Sequence, residues 1–368
     1  MEATMLTAGT HVQSISLPHQ VIRGPNSLTQ LFGFLPKNIS RVFIVGGHTA
    51  LSIALPTIEA VVTNNYLLES AHYGGEVTRT NLAQLKQQAS RFDADIIVAI
   101  GGGKALDMGK WLADELGLAS VTVPTIAATC AATSTVSVIY DEAGHFESLI
   151  SVNKAPIAVF LDSDIIARAP YQWLAAGLGD TLAKLYEFRA IAENLPQCSF
   201  NSSAYMNGKL CYDIIVEFGE QAISDVQQGR TSPALEAVMD AIILYAGFTS
   251  IMGVGDHVAA AHALYDGFTT NEKTRLYGHG LLVGFGNLVL QVLEGRSDLE
   301  LEEAIKIARR CAVPTDLDEI ANLTQAELKS ICQAAVATPD MNNMPMDVSV
   351  EQLMAAVNQV SMFSKSVR

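Results

Sequence analysis

Positive charge is scarce in this chain. Lysine and arginine number 23 against 38 aspartates and glutamates in 368 residues, a formal net charge of −15. A nucleic acid or an anionic bilayer needs a basic patch, so neither is expected as a partner, and only local positive pockets remain open. Cysteine is sparse as well. The five thiols, Cys130, Cys198, Cys211, Cys311 and Cys332, are scattered, odd in number and form no CxxC. That argues against a disulfide framework and fits reduced thiols in a cytoplasm. No uninterrupted apolar run of about 18 residues occurs, so no membrane span is expected. The opening stretch MEATMLTAGTHVQ lacks a basic region followed by an apolar one, so no signal peptide is expected. Internal repeats and low-complexity segments are missing too. The expectation is a cytoplasmic protein that works on small molecules.

What is present is a large apolar complement, 49% of residues, enough for a globular chain. The length predicts two domains, each with its own core. Residues 11–23 alternate as a strand, and Asn26 and Ser27 stand where a short helix through Leu28, Leu31 and Phe32 would be capped. The apolar run 41–45 ends in Gly46-Gly47 and predicts a buried parallel strand. A helix over 49–63, a strand over 66–70, a helix over 78–91 and a strand over 95–100 follow. Strand, helix, strand, helix, strand is the pattern of an α/β domain with a parallel sheet.

The turn after that last strand is Gly101-Gly102-Gly103-Lys104, leading into Ala105-Leu106-Asp107. Glycines at a strand-to-helix turn let backbone N–H groups approach a phosphate, and the helix N-terminus adds partial positive charge. A diphosphate would suit it; a plain tight turn is the competing reading, since GGGK is neither GxGxxG nor a P-loop. After a strand over 120–124 comes a loop of small and hydroxyl residues, 125–134. It either wraps a ligand or simply connects. Strands over 136–140 and 158–161 follow, with a hairpin turn at 141–145. Beyond about residue 162 the texture becomes helical, with a capping-box start at Thr324.

The most informative stretch is AAAHALYDGFTTNEKTRLYGHG, residues 259–280. His262 lies in an apolar helical run and His279 opens another, an arrangement that would point both into one cleft. A catalytic zinc or ferrous site takes three protein ligands and keeps one position open. Asp180, in Gly177-Leu178-Gly179-Asp180 and read as a second glycine-to-helix junction, is the third candidate. Taken alone, each histidine is better explained by structure than by ligation.

Four motifs now stand in order: GGGKALDMGK, VPTIAATCAATSTVSVIYDEAG, GLGDTLAK, and AAAHALYDGF with its following HG. Together, over nearly the whole chain, they resemble the glycerol dehydrogenase branch of the iron-containing alcohol dehydrogenases. The TIAATCAA loop looks most like the hydroxycarboxylate dehydrogenase members, which reduce 2-oxo acids. The resemblance implies an α/β dinucleotide-binding domain with a Rossmann-like parallel sheet, residues 1–162, and an all-α metal-binding domain, residues 163–368, in a dehydroquinate synthase-like or glycerol dehydrogenase-like fold. It implies Asp180, His262 and His279 as metal ligands, with zinc favoured over ferrous iron. It implies that Gly101, Gly102 and Gly103 face the pyrophosphate, with Lys104 and Asp107 in the cofactor turn. Thr125, Thr129 and Ser134 would lie beside the cofactor, Val136 and Tyr140 on the next strand, and Lys154 where the family has a cofactor-contacting lysine. Gly46 and Gly47 complete the cofactor-facing set. A homo-oligomer is expected by analogy.

Three positions depart from a standard glycerol dehydrogenase. Cys130 stands where those enzymes carry an aspartate that meets the polyol. With a divalent cation and one ligand carboxylate, the pocket would then be net positive and favour a substrate carboxylate; the plain alternative is a small packing residue. Lys184, one turn after Asp180, replaces a possible fourth ligand and would bind a substrate carboxylate or pair with an acid. Tyr265 replaces a histidine near the nicotinamide, leaving the proton to its hydroxyl or to solvent. The stretch Gly46-Gly47-His48 lacks the acid that receives a ribose 2′-hydroxyl, so the cofactor is NAD or NADP, and His48 would assist the latter. The expected reaction is metal-dependent interconversion of a small 2-hydroxy acid and its 2-oxo acid, with catalytic roles for Cys130, Lys184 and Tyr265. A polyol dehydrogenase, a dehydroquinate synthase-like lyase and a non-catalytic metal- or nucleotide-binding protein are the alternatives.

Overall fold

The computed structural model describes residues 15–253 and 257–367. Eight strands occur among them: β1 Gln20–Gly24, β2 Arg41–Gly46, β3 Leu67–His72, β4 Ile96–Gly101, β5 Ala119–Pro124, β6 Val136–Tyr140, β7 Phe146–Ser151 and β8 Ala158–Asp162. Six form one parallel sheet in the order β1-β8-β5-β4-β2-β3. Its central strands β2, β4, β5 and β8 are almost wholly buried and mostly apolar because helices cover both faces. Val42 and Ile44 join one core with Ala54 and Ile58 of the helix His48–Val61. Phe43 and Val45 face the other way, onto Leu82 and Leu85 of Arg79–Phe92 and Met108 and Leu112 of Gly103–Leu116. β3 lies to one side of β2 and β4 to the other. The carboxyl ends of β2 and β4 therefore flank a topological switch point, the place where open α/β sheets bind ligands.

Contacts divide the chain into two compact units. One is Ile15–Pro170 with Ser224–Gly247; the other is Tyr171–Ile223 with Phe248 onward. The change of texture at residue 162 therefore does not coincide with the edge of the α/β unit, and a later segment returns to it. Side chains explain the return. Arg23 on β1 pairs with Glu236 and Asp240, Thr231 bonds Asp164, and Thr133 Oγ1 lies 2.6 Å from the Ile243 carbonyl. The second unit is helical, built on Tyr171–Ile191, Ala260–Thr269, His279–Leu293, Asp298–Arg310, Gln325–Val336 and Val350–Ser366.

Several local expectations change. The first strand begins at Gln20; residues 15–19 are outside it, and 11–14 lie outside the described residues. Asn26 adopts a left-handed conformation and makes no side-chain cap. Asp162 takes that task by accepting from the Leu28 N–H. The hairpin at 141–145 joins β6 to β7, a strand not anticipated, while β8 enters the main sheet. Pro233–Met252 is long and apolar enough by composition to cross a bilayer, but 56% of its apolar window is buried, as in a core helix, so it does not overturn the expectation of no span.

One buried ion pair ties the first helix after the glycine turn to the following loop. Lys110 is fully buried; its Nζ lies 3.0 Å from Asp107 Oδ1 and donates to the carbonyls of Ser134 and Val136 at 3.0 and 2.6 Å. Burial pushes Asp107 up, against the pull of Lys110. Replacing Lys110→Met would strand a buried carboxyl and two carbonyls. It is expected to cost about 3–5 kcal/mol, read as a lower urea midpoint; an unchanged midpoint would contradict this role.

Candidate active site

Asp180, predicted at a helix start, lies instead in the middle of Tyr171–Ile191. The glycines around it permit helix contact rather than a break. A Cβ on Gly179 would sit 2.3 Å from the Gly280 carbonyl oxygen, and one on Gly280 would sit 2.0 Å from that of Ala176. Gly179 and Gly280 are direct neighbours of Asp180 and His279, so this close approach brings the two side chains together. His279 is the first residue of His279–Leu293, and His262 lies in the first turn of Ala260–Thr269.

One donor atom from each of Asp180, His262 and His279 lies within 4.8 Å of the others. The Nε2 atoms of His262 and His279 are 3.6 and 3.4 Å from Asp180 Oδ1. These separations are long for hydrogen bonds. They match the edge of a tetrahedron with bonds of 2.0–2.1 Å, about 3.3 Å. The donor set therefore fits a divalent cation such as zinc.

A fourth residue, not foreseen, completes the arrangement. Glu187 is buried two turns after Asp180 on the same helix. Its Oε2 lies 2.6 Å from His262 Nδ1, and its Oε1 accepts from the backbone N–H groups of Ala259 and His262 at 2.8 and 3.0 Å. One carboxylate thus caps a helix and fixes an imidazole with Nε2 toward Asp180, as outer-shell acids do for metal-ligating histidines. The available signal was a second acid seven residues after Asp180, two turns along the same helix.

Tyr265 packs edge-on against the His279 ring, centroids 4.3 Å apart, and joins Ala183, Ala261 and Val283 in a small core. Its ring buttresses the ligand candidate. Lys184 is half-buried one turn after Asp180. Burial acts against Asp180's charge, but the histidines and Lys184 hold its carboxyl well below the usual range. Burial opposes charge on Glu187 too, and His262 holds it low. His262 meets the same burial, outweighed by Glu187 and Asp180, which raise it well above its ordinary value. Two buried carboxylates thus require a positive charge, and without a cation a proton on His262 supplies it. Burial also pushes up Asp266, one turn beyond His262.

At the glycine turn, Gly101 has φ +148°, a region that favours glycine, and its carbonyl accepts from Thr125 N–H. Gly102 caps the Gly103–Leu116 helix without a side-chain bond, and a Cβ on Gly103 would lie 3.1 Å from Thr129 Oγ1. The Gly47 nitrogen is 4.0 Å from the position a Gly101 Cβ would take, so Gly46-Gly47 adjoins the same turn. Cys130 is half-buried in the following loop, and its carbonyl accepts from Thr133 and Ser134 N–H.

Other expected cofactor residues have different tasks in this structure. Asp107 is committed to Lys110 and to Val138 N–H, and Ser134 and Val136 receive the Lys110 ammonium. They shape the loop instead of presenting polar groups to a ligand. Lys104 pairs with Glu76 at 2.6 Å and lies over the Tyr140 ring. Lys154 is exposed between β7 and β8.

Glu187→Gln is expected to weaken zinc binding roughly 10–100-fold. Since a cation must displace the His262 proton, which its two carboxylate neighbours hold up to about 10, zinc affinity of the unmodified protein should keep rising with pH toward that value. Calorimetric titration checks both; an affinity indifferent to the mutation and to pH would contradict this electrostatic account.

Comparison with known proteins accords with this geometry. The family description "Iron-containing alcohol dehydrogenase" matches residues 18–163. Glycerol dehydrogenase of Escherichia coli O6:H1 is 32% identical over 354 residues, covering 93% of this chain and 95% of that protein. Hydroxycarboxylate dehydrogenase A of Escherichia coli K12 is 33% identical over 376 aligned positions, covering 94% and 99%. The crystal structure of a probable glycerol dehydrogenase from Sinorhizobium meliloti superposes with a TM-score of 0.86 at 27% identity, covering 97% of this chain and 100% of that one. The chain belongs to the iron-containing alcohol dehydrogenase family, in its glycerol dehydrogenase-like branch.

Proposed function

We propose that this protein is a metal-dependent, nicotinamide-dinucleotide-linked dehydrogenase of a small polyol such as glycerol. From sequence alone the 2-oxo acid ranks first and the polyol second; we reverse that order. The observation that carries the change is Glu187. The oxo-acid argument needed a net positive pocket, a cation facing one carboxylate. Glu187, buried at 2.6 Å from His262, supplies a second, so cation, Asp180 and Glu187 balance. The glycerol dehydrogenases among the relatives support the same order.

In this reading the α/β unit binds the dinucleotide and the helical unit binds the metal. Asp180, His262 and His279 hold the cation, Glu187 fixes the His262 tautomer, and Tyr265 keeps the His279 ring in place. Gly101, Gly102 and Gly103 offer backbone N–H groups and a helix N-terminus to the diphosphate, with Thr125 and Thr129 alongside. The bound cation supplies Lewis acidity toward a substrate oxygen, and the nicotinamide exchanges the hydride. A 2-hydroxy acid is the second reading, favoured by the neutral Cys130 in the loop at 125–134.

Initial rates of the zinc-loaded protein test this, with glycerol and NAD or NADP against 2-oxobutanoate and 2-oxoglutarate with NADH or NADPH. Polyol oxidation is expected to dominate, and Cys130→Asp should raise it by adding an acceptor for substrate hydroxyls. Dominant oxo-acid reduction would restore the second reading. His262→Ala should lose both metal and turnover; full turnover without metal would sink the assignment.

A further inference from the structure

Two histidines at the end of the sheet fall outside this chemistry. β2 and β3 are parallel, and their register sets Gly46 opposite His72. His48, two residues after Gly46, is the first residue of the 14-residue helix His48–Val61. The His48 and His72 rings stack with centroids 3.7 Å apart and planes 5° from parallel. His48 is exposed and His72 half-buried. The Gly74 N–H donates to His72 Nδ1 at 3.2 Å, which leaves Nε2 to carry the proton and donate outward. Burial first, and then His48, lower His72 below its ordinary value, consistent with that neutral, Nε2-protonated ring.

The surroundings suit an anion. Residues 46–58 and 70–75 contain no acid; of the flanking acids Glu59, Glu69 and Glu76, Glu76 is held by Lys104 at 2.6 Å. No side chain caps the helix that His48 begins, so its first N–H groups and its dipole face the same place. Space is available over Gly47, where a Cβ would meet only Tyr73 Cε1, at 3.5 Å. The Gly47 nitrogen also adjoins the Gly101 turn, on the neighbouring strand end. A dinucleotide whose diphosphate rests on Gly101–Gly103 would therefore extend its adenosine ribose over β2 toward the paired imidazoles.

We propose that His48 and His72 form a binding site for the 2′-phosphate of NADP(H), so that the enzyme prefers NADP(H) over NAD(H). This rests on the reading of the glycine turn as a dinucleotide site. A phosphate monoester brings a dianion and three acceptor oxygens to two imidazole donors and a helix N-terminus. A ribose 2′-hydroxyl finds no carboxylate there to receive its proton.

Calorimetric binding to the full-length, zinc-loaded protein separates the possibilities, with NADPH, NADH, 2′,5′-ADP and 5′-AMP as probes. NADPH should bind roughly tenfold or more tightly than NADH, and 2′,5′-ADP should exceed 5′-AMP by a similar factor. His48→Ala and His72→Ala should each collapse the NADPH-to-NADH ratio, His72→Gln should retain part of it, and His48→Asp should invert it. Equal affinities in the unmodified protein, or a ratio that survives both alanine substitutions, would overturn the proposal while leaving the dehydrogenase reading intact. Adenosine probes binding equally with or without the 2′-phosphate would assign the imidazoles to base stacking and overturn it too. Failure of every probe to bind would remove the dinucleotide site itself.

Discussion

The arrangement of the helical unit depends on one contact, the approach of Tyr171–Ile191 to His279–Leu293 at a distance that only glycine permits. A side chain on Gly179 or Gly280 would collide with the opposite backbone, and Gly284 Cα is 3.2 Å from where a Gly179 Cβ would sit. Asn287 adds a bond to the Gly179 carbonyl at 2.9 Å. The residues next to these glycines are Asp180 and His279. The separation of two ligand candidates is thus fixed by backbone packing, which is stiffer than any side-chain bond. His262 joins from a third helix whose N-terminal N–H groups are capped by Glu187, from the same helix as Asp180. Three segments converge because each is tied to one helix.

Charge balance follows from that convergence. Asp180 and Glu187 are buried together, and two carboxylates in a dry interior are costly unless neutralised. A divalent cation neutralises both, so the cation itself brings no surplus for a substrate carboxylate, and the remaining positive charge beside Asp180 is that of Lys184. Cys130 argues the other way, because it is neutral where the resemblance implies an aspartate that meets a polyol. These two features, on different units of the chain, are why polyol and hydroxy acid both remain in view and why the buried one is given more weight. The α/β unit solves its own burial problem differently, by setting Lys110 against Asp107 and two carbonyls so that the loop at 125–136 has a fixed base.

The strands of the central sheet were legible because burial on both faces demands continuous Val and Ile, and the glycine turn because a strand ran directly into it. The histidine pair was legible from its spacing and its apolar flanks. Asp180 was identified, but its setting was misread: Gly177 and Gly179 looked like a turn leading into a helix, and only the partner helix shows that Gly179 is there for close approach. Glu187 was missed because its significance lies in a tertiary contact with His262, distant in sequence. β7 was missed because FESLIS pairs with a single neighbour and carries no continuous apolar run. The return of Ser224–Gly247 to the first unit is made by tertiary contacts of Arg23, Asp164 and Thr133, which no local pattern announces.

The central claim is that Asp180, His262 and His279 hold one divalent cation. X-ray absorption at the zinc edge of the zinc-loaded protein tests it most directly. The account predicts a shell of nitrogen and oxygen ligands at about 2.0–2.1 Å with the multiple scattering of two imidazoles, with zinc lost or its scattering reduced to one imidazole in His279→Ala. A sulfur shell at about 2.3 Å, or imidazole scattering unchanged by that substitution, would contradict it.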